Sequence, residues 1–134
     1  MRPCYKAPVS IYRISKQLWF SAAHQVRLSN ARCEAMHGHN YRVVVHAEAR
    51  ELDATRYVLD FAALKSAAAE AASRFDHRNI NEVEPFTEGG RNPTAEELAR
   101  FFAEELGERF DDGRVRISKV EVFETENNRA EYCR

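Results

Sequence analysis

Alternation of apolar and polar residues predicts two long strands in the first part of the chain. From Val9 to His24 apolar residues such as Phe20 alternate with polar or small ones, and His24 itself falls in the apolar phase. A second alternating stretch runs from about Asn40 to Glu51. Because successive side chains of a strand point to opposite faces, each strand has one apolar face. His24 is therefore expected to end the first strand pointing inward.

Two later stretches carry apolar residues at helical spacing. Asp60 is a typical N-cap residue, and an apolar stripe follows it over residues 61–74. Thr94 and Glu97 have the spacing of a capping box, and Leu98 opens the stripe of a second helix. The pattern thus predicts two amphipathic helices after the two strands.

The end of the chain predicts a hairpin with an irregularity in its first strand. Val115–Ile117 and Val120–Val122 alternate in opposite phases, which indicates a β-bulge near Ser118–Lys119. Asn127–Asn128 fits a hairpin turn, and Arg129–Cys133 returns as the last strand. The order ββααββ predicts an α+β fold, with a four-stranded antiparallel sheet and two helices on one face.

The segment Phe75–Asn81 has no clear period and is interpreted as a loop. No repeat or linker divides the 134 residues, so residues 1–134 are expected to form a single domain. An open sheet of this order would leave strand edges unpaired, and natural proteins usually cover or pair such edges.

Composition limits the classes of partner. The formal net charge is −1 with 31% charged residues, which argues against a nucleic-acid or membrane-surface partner. No apolar run approaches the roughly 18 residues of a membrane span. The three cysteines, Cys4, Cys33 and Cys133, are odd in number and widely spaced. A disulfide framework is therefore not expected, and the reducing cytoplasm is the expected location.

A histidine pattern indicates a metal site. His37 and His39 are two residues apart and share the apolar phase of the second strand, as His24 does in the first. Three inward imidazoles are costly to bury without a common ligand, and a nitrogen donor set suits zinc. Spacing alone does not exclude another divalent ion. Cys33 could be a fourth ligand that closes a structural site, or a catalytic thiol beside the metal.

Two further positions could carry chemistry. In Asp76–His77 the carboxylate could orient the imidazole for proton transfer, or the pair could be a simple turn. Glu124 continues the apolar phase of its strand, so it needs either a salt-bridge partner or a ligand with paired N–H donors. His46 lies in the polar phase and is interpreted as an ordinary surface residue.

Six motifs occur in order along the chain: Phe20-Ser-Ala-Ala-His24, Cys33-x3-His37-Gly-His39-Asn-Tyr, Leu59-Asp-Phe, Phe75-Asp-His-Arg-Asn-Ile-Asn81, Asn92-Pro-Thr-Ala-Glu and Phe123-Glu-Thr125. Taken together, they resemble the 6-pyruvoyltetrahydropterin synthase / 6-carboxytetrahydropterin synthase family over almost the whole chain. The spacing between Cys33 and His37 is similar to that of the carboxy-forming enzymes of queuosine biosynthesis, whereas the segment 124–128 resembles the pyruvoyl-forming ones.

The resemblance implies a tunnelling fold, in which three protomers close a barrel and two trimers stack as a homohexamer with active sites at subunit contacts. It implies a zinc-dependent lyase that converts 7,8-dihydroneopterin triphosphate to 6-carboxy-5,6,7,8-tetrahydropterin, acetaldehyde and triphosphate. A pyruvoyl-forming enzyme and a non-catalytic zinc- or pterin-binding module are the alternatives. By motif, the zinc ligands would be His24, His37 and His39, the catalytic residues Cys33, Asp76 and His77, and the pterin-binding residues Glu124 and nearby Thr94.

Overall fold

The computed structural model describes residues 9–30 and 32–134. Cys4 lies outside these residues, while Cys33 and Cys133 are free thiols. In chain order the elements are β1 (Tyr12–His24), β2 (His37–Ala49), α1 (Phe61–Ser73), β3 (Arg78–Asn79), a 3-10 turn (Ile80–Glu82), α2 (Ala95–Phe110), β4 (Val115–Phe123) and β5 (Arg129–Cys133).

The sheet has five strands in the order β3-β1-β2-β4-β5. The expected antiparallel pairs are present, but β3 runs parallel to β1 and pairs with Ala22 and Ala23. The prediction of a four-stranded, wholly antiparallel sheet was therefore wrong, and the segment predicted as a loop contains this fifth strand. A strand of two residues is too short to produce an alternation in the sequence.

Tertiary contacts hold β3 in place. The Ser21 amide donates to Asp76 Oδ1 at 3.0 Å, and the His77 amide donates to the Ser21 carbonyl at 2.6 Å. These bonds bring the chain after α1 against the end of β1, where Arg78 and Asn79 can pair with β1.

The predicted bulge in β4 is confirmed. His46 pairs with Lys119 and Ala47 pairs with Ile117, so Ser118 is the extra residue. An extra residue reverses the phase of a strand. Both halves of β4 can therefore bury their apolar residues on the same side of the sheet.

Both helices have the predicted N-caps and cover the apolar face of the sheet. Asp60 accepts from the Ala62 amide, and Thr94 accepts from the Glu97 amide. At the centre of the core, Phe20 and Tyr41 lie opposite each other on β1 and β2, and their rings stack at 4.9 Å. Neither helix of the described residues is long and apolar enough to cross a membrane.

The candidate site residues come together at one end of the sheet. The last residue of β1, His24, pairs with the first residue of β2, His37. β2 begins about three residues earlier than the alternation indicated, so both of its histidines belong to the strand. The chain leaving β4 and the residues preceding α2 come to this same end.

Candidate active site

Three histidines meet where β1 ends and β2 begins. His24, His37 and His39 each offer one ring nitrogen, and these atoms lie within 4.8 Å of one another. The Nε2 atoms of His24 and His37 are 3.1 Å apart. The structure therefore brings the predicted ligand set together, with His24 fully buried and His37 partly open to solvent.

Backbone carbonyls set the orientation of two of the rings. His24 Nδ1 donates to the Pro93 carbonyl and His37 Nδ1 donates to the Ala35 carbonyl, each at 2.7 Å. With the proton on Nδ1, the Nε2 lone pairs of both rings face each other, and a cation between them would remove the repulsion. His39 Nε2 is buried without a hydrogen-bond partner. These donors fit a metal ion.

Two carboxylates surround the histidines. Glu124 Oε1 lies 3.9 Å from His24 Nε2, and its Oε2 lies 3.9 Å from His39 Nε2. Glu34 Oε1 lies 3.7 Å from His37 Nε2 and 4.0 Å from His24 Nε2. The inward phase predicted for Glu124 is confirmed. Glu34 was missed, although its position three residues before His37 was available as a signal.

The environment shifts the pKa of two groups at the site. Burial lowers the pKa of His39, and the neighbouring His24 and His37 add to this effect, while Glu124 and Glu34 oppose it. Burial raises the pKa of the Tyr41 hydroxyl well above its usual range, with Glu124 contributing in the same direction. His39 is therefore held neutral, which is the form that binds a metal, and Tyr41 stays protonated.

Cys33 lies in a short hairpin beside the histidines. It forms a β-bridge with Arg27, and its side chain is exposed. Its sulfur is not part of the close group of ligand atoms in the described chain. This arrangement gives no support to a fourth, closing ligand.

Asp76 and His77 form a pair next to the end of β1, outside the close group of three histidines. His77 Nδ1 and Asp76 Oδ1 are 3.0 Å apart, and the His77 side chain is 83% exposed. The Ser21 amide, and after it His77, holds the pKa of Asp76 below its usual range. His77 has a left-handed backbone with φ of 58°. His77 and His39 both line a shallow cavity of about 460 Å³.

The main role of Thr94 in the structure is to cap the N-terminus of α2. Its hydroxyl accepts the Glu97 amide at 3.2 Å as the N-cap of the helix. The preceding carbonyl, from Pro93, orients His24. The structure thus connects the start of α2 to the histidines by a route that the sequence did not indicate.

A larger cavity of about 810 Å³ opens beside Glu124 and His39. Its wall includes Trp19 and Arg42, and the Arg42 guanidinium stacks 3.8 Å from the centre of the Phe123 ring. Aromatic and cationic groups next to a partly buried carboxylate are suited to a planar polar ligand. No pattern in the sequence pointed to these lining residues.

Comparison with known proteins places the chain in a family. The family model described as 6-pyruvoyl tetrahydropterin synthase matches residues 13–134. The 6-carboxy-5,6,7,8-tetrahydropterin synthase of Bacillus subtilis is 29% identical, covering 91% of this chain and 83% of that protein. The protein of the same name from Synechocystis sp. is 31% identical, covering 89% of this chain and 91% of that protein.

A solved structure has the same architecture. The Caenorhabditis elegans 6-pyruvoyl tetrahydropterin synthase structure superposes with a TM-score of 0.78 at 26% identity, covering 96% of this chain and 99% of that one. The match extends across the sheet, both helices and the strand ends that carry the histidines. The chain therefore belongs to the 6-pyruvoyl tetrahydropterin synthase family.

Proposed function

We propose that the protein is a zinc-dependent 6-carboxytetrahydropterin synthase of queuosine biosynthesis, acting in the cytoplasm. It would convert 7,8-dihydroneopterin triphosphate to 6-carboxy-5,6,7,8-tetrahydropterin, with release of acetaldehyde and triphosphate. The observation that carries this proposal is the group of three histidine nitrogens within 4.8 Å of one another. The names of the curated relatives support the carboxy-forming branch.

The proposed metal is zinc, held by His24, His37 and His39. Three protein nitrogens with an open position are typical of catalytic zinc. When bound there, zinc would act as a Lewis acid on the substrate side-chain hydroxyls. The carbonyls of Pro93 and Ala35 keep the His24 and His37 rings in the tautomer that this binding needs.

Glu124 is the proposed anchor for the pterin. A carboxylate can accept two parallel hydrogen bonds from the N–H and amino groups of an amino-pyrimidine edge. Its side chain is 24% exposed beside the larger cavity, so a ligand in that cavity can reach it. Thr94 is a second proposed substrate contact, although its hydroxyl already caps α2.

Cys33, Asp76 and His77 are the proposed proton-transfer residues. Asp76 holds His77 by Nδ1, which leaves His77 Nε2 free to take or give a proton. His77 is exposed in the single protomer. We propose that in a homohexamer it completes the active site across a subunit contact, where exposure in the protomer is expected.

The pyruvoyl-forming activity is the second candidate. The run Glu124-Thr-Glu-Asn-Asn128 supports it, since the pyruvoyl-forming enzymes have a similar run, and the Caenorhabditis elegans structure carries that name. Both activities use the same substrate and the same metal site, so the product distinguishes them.

Mass spectrometry of the products from dihydroneopterin triphosphate tests the proposal. Zinc-loaded protein should yield 6-carboxytetrahydropterin and acetaldehyde, and His37→Ala should lose both zinc and turnover. A pyruvoyl product would instead assign the second activity. Absence of turnover in a zinc-loaded, correctly assembled protein would leave the non-catalytic binding module.

A further inference from the structure

Two asparagine side chains bind the backbone that follows β1. Asn81 Oδ1 accepts the Gln25 amide and Asn81 Nδ2 donates to the Gln25 carbonyl, both at 2.8 Å. Asn92 does the same for Arg27, at 2.8 and 2.9 Å. A carboxamide offers one acceptor and two donors on a rigid plane. Each asparagine therefore replaces one residue of a neighbouring strand.

The opposite edge of residues 25–28 pairs with residues 32–34, which include Cys33. These two arms form the hairpin. The Glu34 amide donates to the Val26 carbonyl at 3.0 Å, and the Leu28 amide donates to the Arg32 carbonyl at 2.6 Å. Alternate residues of an extended chain direct their polar groups to opposite edges. Residues 25 and 27 thus face the asparagines, while residues 26 and 28 face the hairpin.

The hairpin in turn fixes a carboxylate against the histidines. Glu34 Oε1 accepts the Val26 amide at 3.2 Å. The same oxygen lies 3.7 Å from His37 Nε2 and 4.0 Å from His24 Nε2. The position of this carboxylate at the cluster therefore depends on the position of Val26, and so on the two asparagines that hold its neighbours.

The segment is also tied to the body of the protein near α2. The Arg27 guanidinium donates to the carbonyls of Phe86 and Arg91, at 2.6 and 3.1 Å. Asn92 immediately precedes Pro93, whose carbonyl orients His24. One stretch of backbone thus sets both the hairpin and a histidine of the cluster.

We infer that Asn81 and Asn92 are positioning residues for the reaction. They hold residues 25–27 so that the hairpin presents the Glu34 carboxylate to the histidine cluster. Neither asparagine is part of the cluster itself. The loss of turnover expected on substitution of these asparagines rests on the proposed function, whereas the expected loosening of the hairpin does not.

Kinetics of Asn81→Ala and Asn92→Ala test the inference. Misplacing a reacting group by about 1 Å can cost on the order of 10²-fold in rate. We expect kcat to fall by about 10- to 100-fold, with KM nearly unchanged and zinc stoichiometric. Unchanged kcat, an effect on KM alone, or loss of zinc would overturn the positioning role.

A matched control and a milder substitution keep this test decisive. Asp53 also organises a loop by accepting backbone amides, from Thr55 and Tyr57, but it lies beyond the far end of β2. Asp53→Ala should leave kcat unchanged. If an alanine variant fails to fold, Asn81→Asp and Asn92→Asp keep the acceptor but place a charged oxygen against the carbonyl that the donor bound, and they should lower kcat in the same way.

Hydrogen–deuterium exchange provides a readout that does not require turnover. In the asparagine variants the amides of Val26, Leu28 and Glu34 should exchange faster than in the wild type, and in Asp53→Ala they should not. If the wild type does not convert dihydroneopterin triphosphate, the proposed function fails, but this comparison still applies. Unchanged protection of these amides would overturn the inference.

Discussion

The His39 Nε2 atom is buried without a hydrogen-bond partner, and the pKa of His39 is lowered. In metal-free protein the unfolded state therefore takes up a proton first, at the ordinary histidine pKa of 6.5. The free energy of unfolding should be at its full value above pH 6.5, decrease as the pH falls from 6.5 towards the lowered folded pKa, and level off below that pKa.

Thermal unfolding of the metal-free protein at a series of pH values measures this dependence. The melting temperature should decrease as the pH is lowered below 6.5, and His39→Asn should show a shallower decrease. Equal slopes for the two proteins would show that another group is responsible.

Cys33 and Cys133 are both exposed free thiols, but Cys33 belongs to the hairpin that also carries Glu34, whereas Cys133 ends β5. Cys33→Ala should keep its zinc and lose turnover by about 10²- to 10⁴-fold, the usual range for an acid–base group. Cys133→Ala is the control and should retain activity. If Cys33→Ala is as active as the wild type, proton transfer belongs to another group, and Glu34 is then the first residue to substitute.

Glu124 and Glu126 lie two positions apart in the same phase, yet only Glu124 faces the cluster, while Glu126 is exposed. Glu124→Gln should raise KM more than it lowers kcat, because pterin contacts far from the reacting carbons form in both ground and transition states. Glu126→Gln should have little effect. Steady-state kinetics with zinc analysis measure both variants, and equal behaviour would contradict the pterin role of Glu124.

At the scale of elements, the start of α2 combines helix capping with support of the site. The Thr94 hydroxyl accepts the Glu97 amide, and replacing such a cap with alanine typically costs about 1 kcal/mol. Thr94→Ala should therefore lower the free energy of unfolding in urea, while Thr94→Ser, which keeps the hydroxyl, should not. A raised KM at unchanged stability would instead indicate a direct substrate contact.

The elements that the sequence predicted are those whose pattern is long. β1, β2 and both helices show alternation or helical spacing over many residues, and the bulge at Ser118 was visible as a change of phase. β3 was missed because two residues carry no period, and it forms through its pairing with Ala22 and Ala23 and the bonds of Ser21 to the residues before it. Short elements of this kind are determined by tertiary contacts.

At the scale of the whole molecule, both outer edges of the sheet are largely open within the described chain. β3 covers only Ala22 and Ala23 of β1, and β5 ends the other side. Unpaired edges favour pairing with another chain. In the proposed homohexamer such edges are paired, so light scattering should give about six times the chain mass of 15.4 kDa, and a monomer at micromolar concentration would refute the proposed barrel.

The sequence by itself determined which face each residue occupies. The phases of His24, His37, His39 and Glu124 follow from local periodicity, and so does their inward direction, which the structure confirms. The residue types at Asp60 and at Thr94 also determined the caps of both helices.

Tertiary structure decided which distant segments meet at the cluster. The Pro93 carbonyl orients His24 across 69 positions of sequence, and Asn81 pairs with Gln25 across 56. The His77 side chain is largely exposed, whereas Asp76 beside it is held by the Ser21 amide. Periodicity fixes the direction of a side chain relative to its own element, but the distance between two loops depends on how all the elements pack, and no local pattern contains that information.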